Sequence, residues 1–309
     1  HLHHSGEFMM SYRFMTMQMS GNLQGSNKIS NEEIVTTVAN PNMPPPTVRV
    51  VPQEMTTKMH MLGIMYAPTD DITLMAMLNY VERDMTLRTY QGMAGTNVLG
   101  DFESANSGLA DSKLGVLYRL FDSPNHKLHA NLAWIIATGS NDKQGEVLTP
   151  MNMKMSMRMP YSMQTGTGSQ QGELGLTYNG YVESYAWGAQ GLYSSALDKS
   201  DQGYKPGNKI QFSGWVAYSI SHDLSVSVRL KYSSSDEITG SDPKIVAPVT
   251  TANPANYGAD ILDLGVGINS VIANKHRVAL EYSTPLNYDV NGVQMEMENM
   301  LTLGYQIAF

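Results

Sequence analysis

Segments of alternating polarity, joined by connectors that are in turn very short and very long, run through the whole chain. Side chains two residues apart lie on one face of a strand, so a period of two predicts β-strands. The 309 residues contain twelve such segments: 8–20, 55–67, 72–87, 109–121, 126–138, 171–179, 184–195, 208–220, 223–233, 261–271, 276–284 and 293–309. Neighbouring segments are therefore expected to pair in one antiparallel sheet.

The connectors sort strictly by length. Short ones such as APTDD and DSPN carry turn residues, and strands joined alternately by tight turns and long loops are typical of transmembrane barrels. We predict an all-β fold, a transmembrane antiparallel up-and-down β-barrel of about 12 strands over residues 8–309, with both termini periplasmic. The expected extracellular loops are 21–54, 88–108, 139–170, 196–207, 234–260 and 285–292. A soluble barrel or sandwich is the alternative.

One face of each predicted strand is continuously apolar. In the segment 223–233 the even-numbered residues are apolar or aromatic, and the odd-numbered ones are serine, arginine and lysine. In a membrane barrel the apolar face meets lipid and the mixed face meets the lumen. The closing stretch LTLGYQIAF ends in Phe309, which resembles the terminal signature of bacterial outer-membrane barrels. We therefore expect the chain in the outer membrane of a Gram-negative bacterium, with lipid as a partner.

Composition excludes several classes of protein. No run of 18 apolar residues exists, which argues against a helical membrane span. The absence of cysteine excludes disulfides and thiol catalysis. A net charge of −8 argues against nucleic acid as a partner. No histidine has an evident serine partner, so we expect no enzymatic activity.

Methionine recurs at every second position, as in MTMQMS at 15–20. The strand parity turns these side chains toward the lumen, whereas Met295 and Met297 have lipid-side parity unless a bulge shifts the register. The expected inward set is Met15, Met17, Met19, Met55, Met59, Met61, Met65, Met75 and Met77. Thioethers bind Cu(I) or Ag(I), fill irregular space as packing, or provide an apolar path for hydrophobic solutes. The sequence leaves these three interpretations open.

The first residues carry a second candidate metal site. The chain begins HLHHSGEF, and residues 1–7 are expected to form a His-rich tail. If His1 is the mature N-terminus, its amine and the imidazole of His3 are ligands suited to Cu(II), with His4 beside them. An exposed tail without bound metal is the alternative. No other cofactor is expected.

Five stretches carry a resemblance to a known family. They are FMMSYRFMTMQMSG, MHMLGIMYAPTDDITLMAMLNY, SGLADSKLGVLYRLF, ATGS and MPYSMQTGTG. These stretches resemble the bacterial outer-membrane, transporter-like family named for the meta-pathway of phenol degradation, particularly its methionine-rich, copper-associated members. The resemblance implies a barrel with a transport role and no catalytic residues. It is most specific over residues 59–80.

Three functions remain open at this point. The first is an outer-membrane barrel with a Met-lined lumen that conducts or binds soft metal ions, copper or silver. The second is a passive porin-like channel for small hydrophobic solutes, with methionine as packing. The third is a structural or assembly barrel. A homo-oligomer or a periplasmic partner protein is compatible with each of them.

Overall fold

Almost every segment of alternating polarity is a strand in the computed structural model, which describes residues 3–273 and 275–309. The one helix is α1 (Asn31–Thr37), among these residues, and 3₁₀ turns lie at Tyr161–Met163, Thr250–Ala252 and Pro254–Asn256. The strands are β1 (Phe8–Gly25), β2 (Asn27–Lys28), β3 (Val50–Thr69), β4 (Ile72–Tyr90), β5 (Val98–Leu109), β6 (Ser112–Asp122), β7 (His126–Ile136), β8 (Gln144–Leu148), β9 (Lys154–Arg158), β10 (Gln171–Val182), β11 (Tyr185–Ala196), β12 (Tyr204–Lys205), β13 (Lys209–Ser219), β14 (Leu224–Ser235), β15 (Thr239–Gly240), β16 (Ala259–Ile272) and β17 (His276–Ala308). In the part of the chain described, no helix is both long and apolar enough to cross a membrane.

The sheet closes into a ring of antiparallel pairs. Its order is β1, β3, β4, β6, β7, β10, β11, β13, β14, β16, β17 and back to β1. The predicted closed, all-β antiparallel barrel is confirmed. The ring has eleven strand elements where the sequence predicted twelve, because the predicted strands 276–284 and 293–309 are joined in β17. Residues 276–290 of β17 pair with β16, and residues 290–308 pair with β1.

The outer surface carries an apolar band whose parity agrees with the sequence prediction. On β4, Leu74 and Leu78 are exposed and Tyr80 ends the apolar run. Above Tyr80, the same face continues with Glu82 and Asp84, which suit water rather than lipid. On β1 the band likewise ends at Phe14. The band therefore covers only the part of these strands nearest the short turns, which we call the lower part. Tyr80 ends the band at the height where an amphipathic ring suits the headgroup region.

Several strands continue well above the apolar band. β1 runs to Gly25 and β3 already begins at Val50, so the loop predicted at 21–54 is shorter than expected. The region predicted as loop 88–108 contains β5, which pairs with the upper half of β4. Its sequence VLGDFESANSGL has no apolar alternation, because it lies above the band and needs no lipid face. Backbone pairing and the ion pair from Arg88 Nε to Asp101 Oδ1, at 2.8 Å, hold it instead.

Both chain ends and the short turns lie at one end of the barrel. Phe8 pairs with Tyr66 and Met9 pairs with Ala308, so the start of β1 adjoins the ends of β3 and β17. The long connections leave from the opposite end. There they fold over the lumen and form a cap, defined here as the segments 159–165, 204–205 and 242–257.

A bulge in β17 turns two methionines inward. Gln18 pairs with Asn299 whereas Met19 pairs with Met297, so Glu298 is an extra residue in the ladder. Above this point the parity of β17 is reversed. Met295 and Met297 are only 4% and 8% exposed. The bulge therefore moves them from the lipid side, where the unshifted register would place them, to the inner side.

The bulge makes a prediction about Met297. Met297→Lys should lower the free energy of unfolding by roughly 3 kcal/mol, because a charge replaces a buried apolar side chain. Glu298→Lys, one residue away and exposed, should change it little. The urea midpoint of the barrel in detergent, followed by tryptophan fluorescence, measures both. Equal midpoints would mean that Met297 faces solvent and that the register is not reversed.

Candidate functional site

His3 and His4 lie at the lower mouth of the barrel. His1 is outside the described residues. His3 is buried, its backbone N–H donates to Thr73 Oγ1 at 3.2 Å, and its Nδ1 lies 3.2 Å from Glu7 Oε2. His4 is exposed and borders the lumen. The amide and the ring of His3 thus already have barrel partners, and the predicted Cu(II) site stays a prediction.

The predicted inward methionines divide by height into two groups. The lower group faces cavities within the band: Met15, Met61 and Met300 line one cavity, and Met65, Met75 and Met77 line another. Met59 pairs with Met15 across β1 and β3, and Met17 pairs with Met300. These thioethers share the inner face of neighbouring strands, as the parity predicts.

The upper methionines belong to a hydrophobic core rather than to an open path. Met55 and Met85 are 6% and 3% exposed, and Met19 packs against them. Side chains of the cap cover them, namely Met159, Tyr161, Met163, Tyr204, Ile245, Ala247, Val249 and Ala252. The flexible thioethers fill the irregular space between the barrel and the cap. For this group, packing is the role that the structure supports.

Three tyrosines join the segments of the cap. The rings of Tyr161 and Tyr204 are 4.7 Å apart, and those of Tyr161 and Tyr257 are 5.6 Å apart, both in edge geometry. Ser162 N donates to Tyr257 Oη at 3.0 Å, and Tyr257 Oη donates to Thr251 O at 2.7 Å. Burial raises the pKa of Tyr204 to about 12. This joint therefore stays uncharged at neutral pH.

A buried ion pair fastens the cap. Arg158 Nε lies 3.6 Å from Asp242 Oδ2, and the two side chains are 6% and 0% exposed. The backbone N–H of Asp242 donates to Tyr161 Oη at 2.9 Å. The pair connects the β8–β9 hairpin to the loop before β16. Removing one partner of such a pair leaves an uncompensated buried charge.

Asp111 brings together three of the stretches that carry the family resemblance. Its Oδ1 accepts from Gly139 N at 3.1 Å, and its Oδ2 accepts from Thr167 N at 3.0 Å and from Thr167 Oγ1 at 2.8 Å. Asp111 stands at the break between β5 and β6, with ATGS and MQTGTG on either side. Its carboxylate organises the loops at the rim of the lumen, a role that the sequence prediction missed.

Two adjacent cavities occupy the lumen below the cap. The lower one has a volume of 790 Å³ and reaches the turn near Asp122. The middle one has a volume of 550 Å³. They share Arg13, Gln190 and Arg277 in their linings. An apolar hollow of 720 Å³ around Leu74 and Trp134 lies on the outer face, toward lipid, and is no candidate for the site.

Ion pairs line the side of the lumen formed by β6 to β17. Lys113 Nζ is 2.5 Å from Glu173 Oε1, and Lys231 Nζ is 2.8 Å from Asp263 Oδ2. Above them a separate cavity of 300 Å³, bordered by Lys209 and the three cap tyrosines, lies within the cap region. The inner surface thus has a methionine-rich side, on which the cap rests, and a polar side.

The predicted residues are therefore only partly the ones that shape the site. Parity alone placed the lower methionines correctly on the inner face. It could not separate them from Met19 and Met55, because the cap that buries those two comes from loops distant in sequence. Within the described residues, no group of three or more histidine, aspartate or glutamate side chains could hold a metal ion. The methionines fall outside that set and stay a prediction.

No family model matches the sequence, and no curated relative matches it. Among solved structures, the COG4313 outer-membrane channel from Pseudomonas putida F1 superposes with a TM-score of 0.63 at 15% identity, covering 99% of this chain and 96% of that one. The P. putida toluene transporter TodX gives a TM-score of 0.48 at 11% identity, covering 99% and 90%.

The first of these similarities shows the fold. The chain has the closed β-barrel fold of the protein described as an outer-membrane channel, and the predicted location in the outer membrane of a Gram-negative bacterium is confirmed at the level of the fold. The prediction that the chain is no enzyme stays a prediction. The methionine-rich, copper-associated family stays a prediction.

The two groups of methionines should respond differently to truncation. Met55→Ala should lower the free energy of unfolding by about 2–5 kcal/mol, because it leaves a cavity in the cap core. Met15→Ala should lower it much less, because Met15 already faces a cavity. Urea unfolding of both variants in detergent makes the comparison. Equal losses would contradict the division of the methionines by height.

Proposed function

We propose that the chain is a passive, porin-like channel of the outer membrane that conducts small solutes along the polar side of its lumen. The observation that carries this proposal is the pair of adjacent cavities below the cap, 790 and 550 Å³ in volume. A barrel with a purely structural role needs no such space, since small barrels can fill their interior with side chains. The methionine-rich side then serves as the seat of the cap.

The orientation follows from the lengths of the connections. In outer-membrane barrels the short turns face the periplasm and the long loops face outward. We therefore place both termini and the lower cavity on the periplasmic side, with the cap outside. In this reading the two halves of β17 are two spanning strands, which gives the even strand number usual for such barrels.

The cap is the narrowest part of the proposed path. The middle cavity ends near Gln211 and Lys231, and the cavity within the cap begins near Ser194 and Lys209. Gln211 and Lys209 are successive inward positions on β13, whereas Lys231 is on β14 and Ser194 is on β11. A modest displacement of the cap would connect the two spaces. The ion pair of Arg158 with Asp242 holds the cap in the position described.

Breaking that pair tests the channel. Asp242→Asn should raise the single-channel conductance in a planar bilayer, because the uncompensated Arg158 loosens the cap, at a cost of about 3–5 kcal/mol. Lys154→Gln is the matched control. It breaks the ion pair of the same hairpin with Glu146, at 2.8 Å, whose side chains are 68% and 63% exposed. Exposed pairs contribute little, so its conductance should equal that of the wild type.

The outcomes separate the proposed functions. If the wild type conducts ions and only Asp242→Asn has a higher conductance, the result supports a channel that the cap restricts. If neither the wild type nor Asp242→Asn conducts ions, the channel proposal fails and a structural or assembly barrel takes its place. An equal rise in both variants would mean that the buried pair does not hold the cap.

A second candidate function concerns soft metal ions. Met15, Met61 and Met300 come from three neighbouring strands and line one cavity, and each of the three residues is partly exposed. Thioethers bind Cu(I) and Ag(I) in preference to hard cations. We propose a weak metal site there only as an addition to the channel.

Silver titration tests this second function. Ag(I) added to the folded barrel should shift the methyl resonances of these three methionines, because the ion binds their sulfur atoms. Leucine conserves volume and apolar character, so Met15→Leu, Met61→Leu and Met300→Leu together should abolish the shifts of the lumenal methionines and keep the fold. Met151→Leu, in an exposed loop, is the control. Unchanged silver affinity in the triple variant would reject the lumenal site.

A further inference from the structure

The lumen has the opposite charge to the chain as a whole. The protein carries a net charge of −8. Yet the side chains that border the two cavities include seven basic residues, Arg13, Lys113, Arg119, Lys127, Arg229, Lys231 and Arg277, and only three acidic ones, Asp122, Glu173 and Glu281. The fold thus gathers positive charge inside and leaves most of the acidic residues outside. Rings of arginine and lysine are the usual device of anion-selective pores.

Two arginines are responsible for much of this excess. Most of the other basic residues have acidic partners, as in the pair of Lys231 with Asp263, at 2.8 Å. Among the residues that the structure describes, Arg13 and Arg277 form no ion pair with a carboxylate. Both side chains border both cavities. They therefore stand where the two spaces join, and any ion that moves along the lumen passes them.

Glycine on β16 lets a third arginine reach the same place. Arg229 of β14 bonds to Glu281 of β17 across the strand between them, with Nε 3.0 Å from Oε2. A Cβ on Gly265 would lie 3.2 Å from the carboxyl carbon of Glu281. The absence of that atom leaves room for the pair. Glu281 is thereby engaged by Arg229 and, in the part of the chain described, forms its ion pair there rather than with Arg13.

The middle cavity is apolar on one side. Met15, Met61 and Met300 line it together with Arg13, Arg229 and Arg277. A thioether attracts a hydrocarbon surface through dispersion and gives a small polar molecule no strong hydrogen bond. The cavity thus offers positive charge and soft apolar surface within 550 Å³, enough for a small organic molecule. This combination matches an anion with an apolar body.

We propose that the lumen selects small organic anions with an apolar body, namely aliphatic or aromatic monocarboxylates. Arg13 and Arg277 attract the carboxylate, and Met15, Met61 and Met300 contact the hydrocarbon part. This proposal rests on the proposed channel function and specifies its substrate class. Guanidinium groups suit carboxylates because they offer paired N–H donors.

The first experiment measures charge selectivity. With the purified barrel in a planar bilayer under a KCl gradient, the reversal potential should give a chloride-to-potassium permeability ratio above about 3. Arg13→Gln combined with Arg277→Gln should reduce this ratio at least about threefold, because the excess positive charge at the junction is removed. Arg13→Lys with Arg277→Lys should retain it. Lys58→Gln also removes a positive charge, but on the outer side, where Lys58 is exposed, and should have no effect.

The second experiment measures the preference for an apolar body. Hexanoate and gluconate are both six-carbon monocarboxylates, and only gluconate carries a row of hydroxyl groups. The reversal potentials should give hexanoate a permeability at least about fivefold above that of gluconate. Met15→Gln, Met61→Gln and Met300→Gln together should reduce this preference toward unity. They should leave the chloride-to-potassium ratio unchanged, since no charge is altered.

Failure of this proposal is distinct from failure of the channel. A wild-type barrel without any conductance would overturn the proposed function itself. A conducting barrel that prefers potassium, or whose selectivity survives loss of both arginines, would overturn the anion proposal alone. Equal permeability of hexanoate and gluconate in the wild type would overturn the apolar half of it.

Discussion

Closure of the sheet by β1 and β17 is the contact on which the remaining structure depends. At membrane depth every backbone N–H and C=O must find its partner within the protein, so a sheet there cannot keep a free edge. The ladder from Met9 and Ala308 upward to Gly25 and Val290 removes that edge. Once the ring is closed, parity divides each strand between lipid and lumen. With leucine and tyrosine on the lipid face, the methionines and arginines at the alternate positions lie on the lumenal face.

The sequence predicts those features that depend on this parity. Faces, short turns and the common end of the termini follow from a period of two and from turn chemistry. β5 was missed because VLGDFESANSGL lies above the band, where water on the outer side removes the need for alternation. The reversal at Glu298 was foreseen only as the exception that a bulge would cause, since a bulge is set by the register against β1. The cap needs contacts between residues far apart in sequence, such as Met55 and Ile245, which no local pattern contains.

The candidate site was predictable to a similar extent. Arg13 and the lower methionines have inward parity that can be read from the sequence. Whether the lumen has an excess of positive charge depends on which basic residues form ion pairs with acidic ones. That is decided across strands, as where Arg229 reaches Glu281 over Gly265. Asp111 is a comparable case, because its three loop contacts join residues 28 and 56 positions away. The local sequence shows which charged side chains face the lumen. Only the closed barrel shows which of them form ion pairs, and therefore what net charge the lumen carries.

Methionine suits both halves of the inner face for a single physical reason. The side chain is apolar, unbranched and polarizable, so it adapts to irregular neighbours without demanding a hydrogen bond. Above the band it lets the cap pack on Met55 and Met85 through apolar contacts. Below the band it keeps Met15 and Met61 smooth toward a passing solute while Arg13 supplies the charge. The cap is held by such packing, by the pair of Arg158 with Asp242 and by the bond from Val50 N of β3 to Pro248 O, although none of its segments is a strand of the ring.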